Sequence, residues 1–223
     1  MASLGFSYQK ARFVSDHPDD ERRRVWIAQE WPAILRTARH RGALLLFGDE
    51  ASVAQWGSLS YTWAPIGQQP LIPTCGKRKA YKVFGLIDYC TGRLFAHGQT
   101  ERFTAATYGA FLTTVLEQTD QPLMLIHDGA RYHTASATKE FIAAHADRLS
   151  VYQLPSYSPD DNPIAHLWKN MKKRTTHNRY FPEFDLVCDS VEEGLAYFQA
   201  HPAEVKRLMG TYLDQMAALV AAA

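Results

Sequence analysis

Ala43-Leu44-Leu45-Leu46-Phe47-Gly48-Asp49-Glu50 and Pro122-Leu123-Met124-Leu125-Ile126-His127-Asp128-Gly129 share one form: a short unbroken apolar run that ends in an aspartate. Such runs predict strands buried on both faces, as in sheets covered by helices. Each aspartate then stands at the carboxyl end of its strand, where ligands gather in α/β sheets. One such Asp reads as a turn former, as Asp128-Gly129 would. Two in matching places read as carboxylates held on rigid elements, a setting that suits metal ligation.

The rest of the chain arranges itself around these strands. Residues 57–73 carry turn signals (Pro65, Gly67, Pro70, Pro73) around Tyr61 and Trp63. Residues 80–89 and 93–99 predict a hairpin split by Cys90-Thr91-Gly92. A helix over 104–119 follows, with Thr104 as cap. Residues 134–147 predict a helix and 150–154 another strand. Asn162 caps a further helix with Pro163 in its first turn, and Ile164, Leu167, Trp168 and Met171 form its apolar stripe. Two C-terminal helices carry Val187, Val191, Leu195 and Phe198, then Val205, Leu208, Met209, Tyr212 and Leu213. Upstream, residues 1–17 read as an arm, Ser15 or Asp16 caps a helix near Pro18, and Pro32 starts a second helix that ends near Gly42. An antiparallel opening followed by crossover helices predicts an α/β fold, with a mixed central sheet flanked by helices. The chain divides into an N-terminal arm and lead-in helices (1–42), a core (43–180) and C-terminal helices packed on it (181–223).

The 223 residues are 46% hydrophobic and 21% charged, which excludes a disordered chain, a coiled coil and a collagen-like repeat. Cys75, Cys90 and Cys188 form no Cys-x-x-Cys pair, so neither a disulfide framework nor a cysteine zinc site is expected, and a cytoplasmic setting is. No apolar run approaches the ~20 residues of a membrane span, and Met1 to Gly5 lack the start of a signal peptide. Net charge is only +1, but the basic residues cluster. Lys77, Arg78, Lys79 and Lys82 precede the hairpin; Lys169, Lys172, Lys173 and Arg174 follow the Trp168 motif, with no acid between residues 169 and 180. Such clusters predict salt-dependent phosphate contacts. Trp56, Trp63 and Tyr157 read as core or loop anchors in preference to base-stacking platforms. His133, near Asp128, reads as a structural hydrogen-bonding residue. No exposed apolar stripe marks an interface.

Pro155-Ser156-Tyr157-Ser158-Pro159-Asp160-x-Asn162-Pro163-Ile164-x-His166-Leu167-Trp168 resembles the signature of the DDE transposases of the mariner superfamily, in the bacterial insertion-sequence-630 branch. Phe47-Gly48-Asp49-Glu50 is similar to the first catalytic block of that family, and Trp63-x-Pro65-x-Gly67-x-x-Pro70 to the segment after it. Leu125-Ile126-His127-Asp128-Gly129-Ala130-x-x-His133 is similar to the second block. The resemblance runs from about residue 5 to about residue 200.

The resemblance implies an RNase H-like fold and an acidic triad holding two divalent ions, Mg2+ or Mn2+. Asp49 and Asp128 match the first two acids, as catalytic residues and metal ligands. The family's glutamate falls at Ala165, which has no ligand atom. Asp161, with Asp160 before it, is the nearest substitute, and His166 is the wrong ligand for magnesium. The resemblance implies cleavage of double-stranded DNA at transposon ends and strand transfer into target DNA, by a homodimer acting on the bacterial nucleoid. Ala165 implies that this form is disabled, whether by a deliberate change or by natural decay. Only 48 residues precede Asp49, so the chain reads as a catalytic domain without its end-binding region. Two other readings stand beside this one: a non-catalytic DNA-binding module that keeps the fold, and a different RNase H-like nuclease.

Overall fold

The structure, a computed structural model, describes residues 20–155 and 162–210. The expected arm and its cap, together with Tyr157, Asp160, Asp161, Tyr212 and Leu213, lie outside the described residues.

Five strands form one sheet in the order β3-β2-β1-β4-β5. β1 (Leu44–Ala54) pairs antiparallel with β2 (Ala80–Asp88), which pairs antiparallel with β3 (Leu94–Gln99). On its other side β1 pairs parallel with β4 (Leu123–His127), and β4 with β5 (Leu149–Gln153). The mixed sheet read from the sequence is therefore present. β1 is longer than its apolar run predicts, because a strand paired on one side only need not be apolar throughout. Parallel pairing to β4 stops at Phe47↔Ile126, while pairing to β2 continues to Ala54↔Ala80. Asp49 is thus a mid-strand residue, which corrects its expected place at a strand end; Asp128 does lie just past β4.

Alternation along the strands sorts the core onto two faces. Leu44, Leu46, Phe84, Leu86, Leu123 and Leu125 pack against α3 (Ala105–Glu117). α4 (Ser136–Ala144) adds Phe141 and Ile142 to that cluster. The opposite face is covered at one end by the π turn Trp26–Glu30, which follows α1 (Asp20–Val25), and by α2 (Trp31–Arg41); their Trp26, Trp31 and Ile34 meet Leu45, Phe47, Met124 and Ile126. At its other end Ala51, Val53, Val83 and Ile87 meet α5 (Ile164–Thr175), α6 (Phe184–Ala200) and α7 (Pro202–Leu208).

Local signals hold closely. Thr104 caps α3 in a reciprocal capping box with Thr107, and Gly42 ends α2 in the left-handed conformation with φ 59°. Pro32 does not break the lead-in helix. Residues Trp26–Glu30 form a π turn, in which Trp31 N–H donates to Trp26 O, and α2 runs on from there. The wider turn accommodates a ring that would clash with the carbonyl four residues back. Among the described residues no helix is long and apolar enough to cross a membrane.

Candidate active site

The site forms where β4 ends and β1 continues, paired with β2 only. Asp49 lies on the α5 face of β1, opposite Gly85 of β2. Burial pushes its carboxyl up to about 6; the Glu50 N–H opposes this, the charges of Glu50 and Asp128 add to it, and the Trp168 indole opposes it. Asp128 is held below the usual carboxylate range, first by the hydrogen bond from His133 and, against burial, by the Ala130 N–H at 3.1 Å. The two aspartates named from the sequence are thus brought into one electrostatic site.

His133 sits beneath them, buried. Its Nδ1 lies 3.1 Å from the Asp128 carbonyl and 3.3 Å from the Asp128 carboxylate, and its Nε2 lies 3.1 Å from Glu50 Oε1. Burial alone would lower its pKa, but hydrogen bonds to Asp128 and Glu50 outweigh it and raise it to about 9. A charged imidazolium therefore ties Glu50 to Asp128, in keeping with a hydrogen-bonding role. His127 takes the opposite course: burial, and then the His133 charge, push it down to about 3. Ligand atoms of His127, Asp128 and His133 lie within 4.8 Å of one another. Both His133 nitrogens are committed, while His127 Nδ1 makes no hydrogen bond among the described residues; the Asp49 and Asp128 carboxylates are the oxygen donors that suit a hard cation.

Asn162 joins the third motif to the first. Its Nδ2 donates to Gly48 O at 2.9 Å, occupying a β1 carbonyl next to Asp49 and beyond the last β4 pair. Its Oδ1 accepts the Ile164 N–H at 3.4 Å, but α5 starts at Ile164 with Pro163 as its N-cap and no side-chain capping bond, which corrects the cap expected at Asn162 and the first-turn place expected for Pro163. Ala165 is exposed on the first turn of α5, one turn before Trp168. Trp168 packs over Gly85, the residue opposite Asp49. Ile164, at the start of the same helix, also packs over Gly85, and Ala165 beside it carries only a methyl group.

A family model for DDE superfamily endonucleases matches residues 44–188. The chain belongs to this DDE endonuclease superfamily. No curated protein matches it in sequence. Solved structures of the Mos1 mariner transposase share the fold. The paired-end complex with the left transposon end is 18% identical with a TM-score of 0.70, covering 99% of this chain and 68% of that one. The paired-end complex with Mn gives 19%, 0.71, 99% and 68%. The isolated Mos1 catalytic domain gives 16%, 0.61, 95% and 97%. The central sheet is accordingly that of an RNase H-like DDE catalytic domain.

Two oxygen donors on a rigid strand and its neighbour suit a hard divalent cation. The mutual repulsion that helps raise Asp49 is what such an ion would relieve. On this ground the residues of this DDE endonuclease fit a metal.

The basic residues divide. Lys169, Lys173 and Arg174 are exposed on α5, and Arg174 lies 3.5 Å from the centre of the Tyr197 ring. Lys77, Arg78 and Lys79 are exposed; Arg78 lies over Trp56 and Lys79 over Phe184. Lys172 is half-buried on α5. Lys82 points to the α3 face, donating to Ser52 Oγ at 2.7 Å, away from α5. The aromatic residues of the β1–β2 connection correct the sequence reading. Trp56 is half exposed and Trp63 fully exposed, as are Leu59, Tyr61, Ile66 and Leu71. They form an exposed apolar arm, which the sequence reading had not expected, because turn-rich apolar residues look the same whether they fold inward or project.

Sequence reasoning missed Glu50 and the bridging role of Asn162. Glu50 follows Asp49 and so points to the other face of β1, where only the fold shows His133 waiting for it.

Proposed function

We propose that this DDE endonuclease is the catalytic domain of a bacterial transposase of the mariner superfamily, insertion-sequence-630 type, with catalysis disabled at Ala165. The observation that carries this reading is the convergence of Asp49, Asp128 and the first turn of α5 beside Trp168. Asp49 and Asp128 would hold Mg2+ or Mn2+. Bound there beside an intact third carboxylate, two such ions would supply activation of the attacking oxygen and charge stabilisation of the leaving one. The chain's own residues do the rest. His133 and Glu50 orient Asp128, Asn162 ties α5 to β1, and Lys77, Arg78, Lys79, Lys169, Lys172, Lys173 and Arg174 take phosphates of transposon-end and target DNA, while Lys82, turned to the α3 face, is set aside. Water and then the freed 3′-hydroxyl are the nucleophiles, so no covalent protein intermediate forms. Work in a bacterial cytoplasm as a homodimer, with the apolar arm as the contact between copies, completes the reading.

A missing carboxylate worth ~4 kcal/mol of transition-state stabilisation lowers the rate about a thousandfold. Nicking of transposon-end DNA with Mn2+ tests this, with the chain run beside Ala165→Glu. The Ala165→Glu protein is expected to nick and the unmodified chain to bind without turnover. Equal nicking by both would show that Ala165 is not the third position. Binding without nicking by either would favour a DNA-binding module, the reading that Ala165 itself supports.

A further inference from the structure

Trp168 is the large side chain nearest the catalytic pair that the chemistry above does not use. It is buried, and its indole Nε1 makes no hydrogen bond among the described residues. A buried N–H without an acceptor is rare and needs a reason. Two observations point to one. A Cβ at Gly85 would lie 2.6 Å from Trp168 Cζ2 and Cη2, so the indole rests on the bare backbone of the residue that pairs with Asp49. The same indole N–H lies near enough to the Asp49 carboxyl to favour its ionised form, short of a formed hydrogen bond.

We propose that Trp168 is a positioning residue for Asp49: its indole N–H is the donor kept for one carboxylate oxygen, leaving the other aimed at the metal. Gly85 is the seat that lets the ring come this close. The proposal rests on the reading of Asp49 as a metal ligand. It explains why a bulky indole stands one turn from the third catalytic position, where any apolar ring would fill the space. Outer partners that orient a ligating carboxylate matter for metal affinity in general, and losing one commonly weakens binding 10–100-fold.

The test uses the indole N–H signals of the chain in a proton–nitrogen correlation spectrum. Loss of one of the five signals in Trp168→Phe assigns it. That signal is expected to move upfield in Asp49→Ala and to be broadened first during titration with Mn2+. Trp168→Phe, which keeps the ring and loses the donor, is expected to weaken Mn2+ binding about tenfold, with its melting temperature little changed. A Trp168 signal indifferent to Asp49→Ala overturns the proposal. So does Trp168→Phe with unchanged Mn2+ affinity, which would leave a packing role only. If Mn2+ broadens no indole signal while Asp49→Ala still shifts that of Trp168, the hydrogen bond stands and the metal reading of Asp49 fails. Failure of Ala165→Glu to nick DNA leaves the spectral result untouched, so the two readings are separable.

Discussion

Asp49 is placed at a cost to the fold. Its carboxyl is pushed up to about 6 against an ordinary 3.8, chiefly by burial. A folded carboxyl that holds its proton more tightly than the unfolded one weakens the fold as pH rises through this window. The penalty is absent below about pH 4, grows between 4 and 6, and is full above, at up to ~3 kcal/mol without metal. Asp49→Asn removes it. Thermal melts in chelator should therefore show Asp49→Asn more stable than the parent at pH 8 and equal to it at pH 4. A parent and variant that differ by the same amount at both pH values would show that ionisation of Asp49 is not the cause. His133 carries the opposite sign. Its raised pKa stabilises the fold below the ordinary 6.5, and that contribution fades as pH rises through about 9. Together these two residues give the metal-free protein a preference for mildly acidic pH.

At the scale of elements, α5 does two jobs with two faces. Ile164, Leu167, Trp168 and Met171 are buried against the sheet, while Lys169, Lys173 and Arg174 stay in solvent. Asn162 fixes where the helix starts through its bond to Gly48 O. The far end is held too: Asn178 exchanges hydrogen bonds with Ser60 N and O at 2.9 and 3.1 Å, tying the end of the α5 segment to the base of the apolar arm. A helix pinned at both ends holds its charges in fixed register beside the aspartates. Replacing Lys169 and Lys173 by Gln should weaken DNA binding by a similar factor on any sequence. It should also flatten the plot of log K against log salt by about one per lysine. An unchanged slope in fluorescence anisotropy would place the DNA elsewhere.

At the scale of the whole molecule, the fold buries one continuous sheet yet leaves Leu59, Tyr61, Trp63, Ile66 and Leu71 in water. Contiguous exposed apolar residues of this size mark an interaction surface. A second copy of the chain is the partner in the proposed transposase. Sedimentation velocity should show a dimer that Trp63→Ser with Ile66→Ser converts to monomer, with the melting temperature unchanged because neither side chain is buried. A double variant that sediments as the parent does would assign the arm to some other partner.

How much of this was legible beforehand follows from the range of the forces involved. Periodicity, caps and turn residues act over a few positions, so the sequence alone determined the strands at 44–47 and 123–126. It likewise determined the Thr104 cap, the Gly42 stop and the apolar stripe of α5. Two aspartates after two apolar runs were enough to single out the carboxylate pair, and the motifs together were enough to point to the DDE superfamily. The lead-in helix shows the limit: Pro32 read as a break, and the π turn before it is a choice among backbone geometries that packing of Trp26 and Trp31 settles. Only tertiary structure decided that Asp49 lies mid-strand, because that depends on where β4 stops pairing with β1. Only it joined Glu50 to His133 across 83 positions, and Asn162 to Gly48 across 114. Only it put Trp168 over Gly85 and turned the Trp63 arm outward. Contacts between residues so far apart in sequence leave no local pattern, since each end satisfies its own short-range preferences and their meeting is set by how the sheet and helices pack.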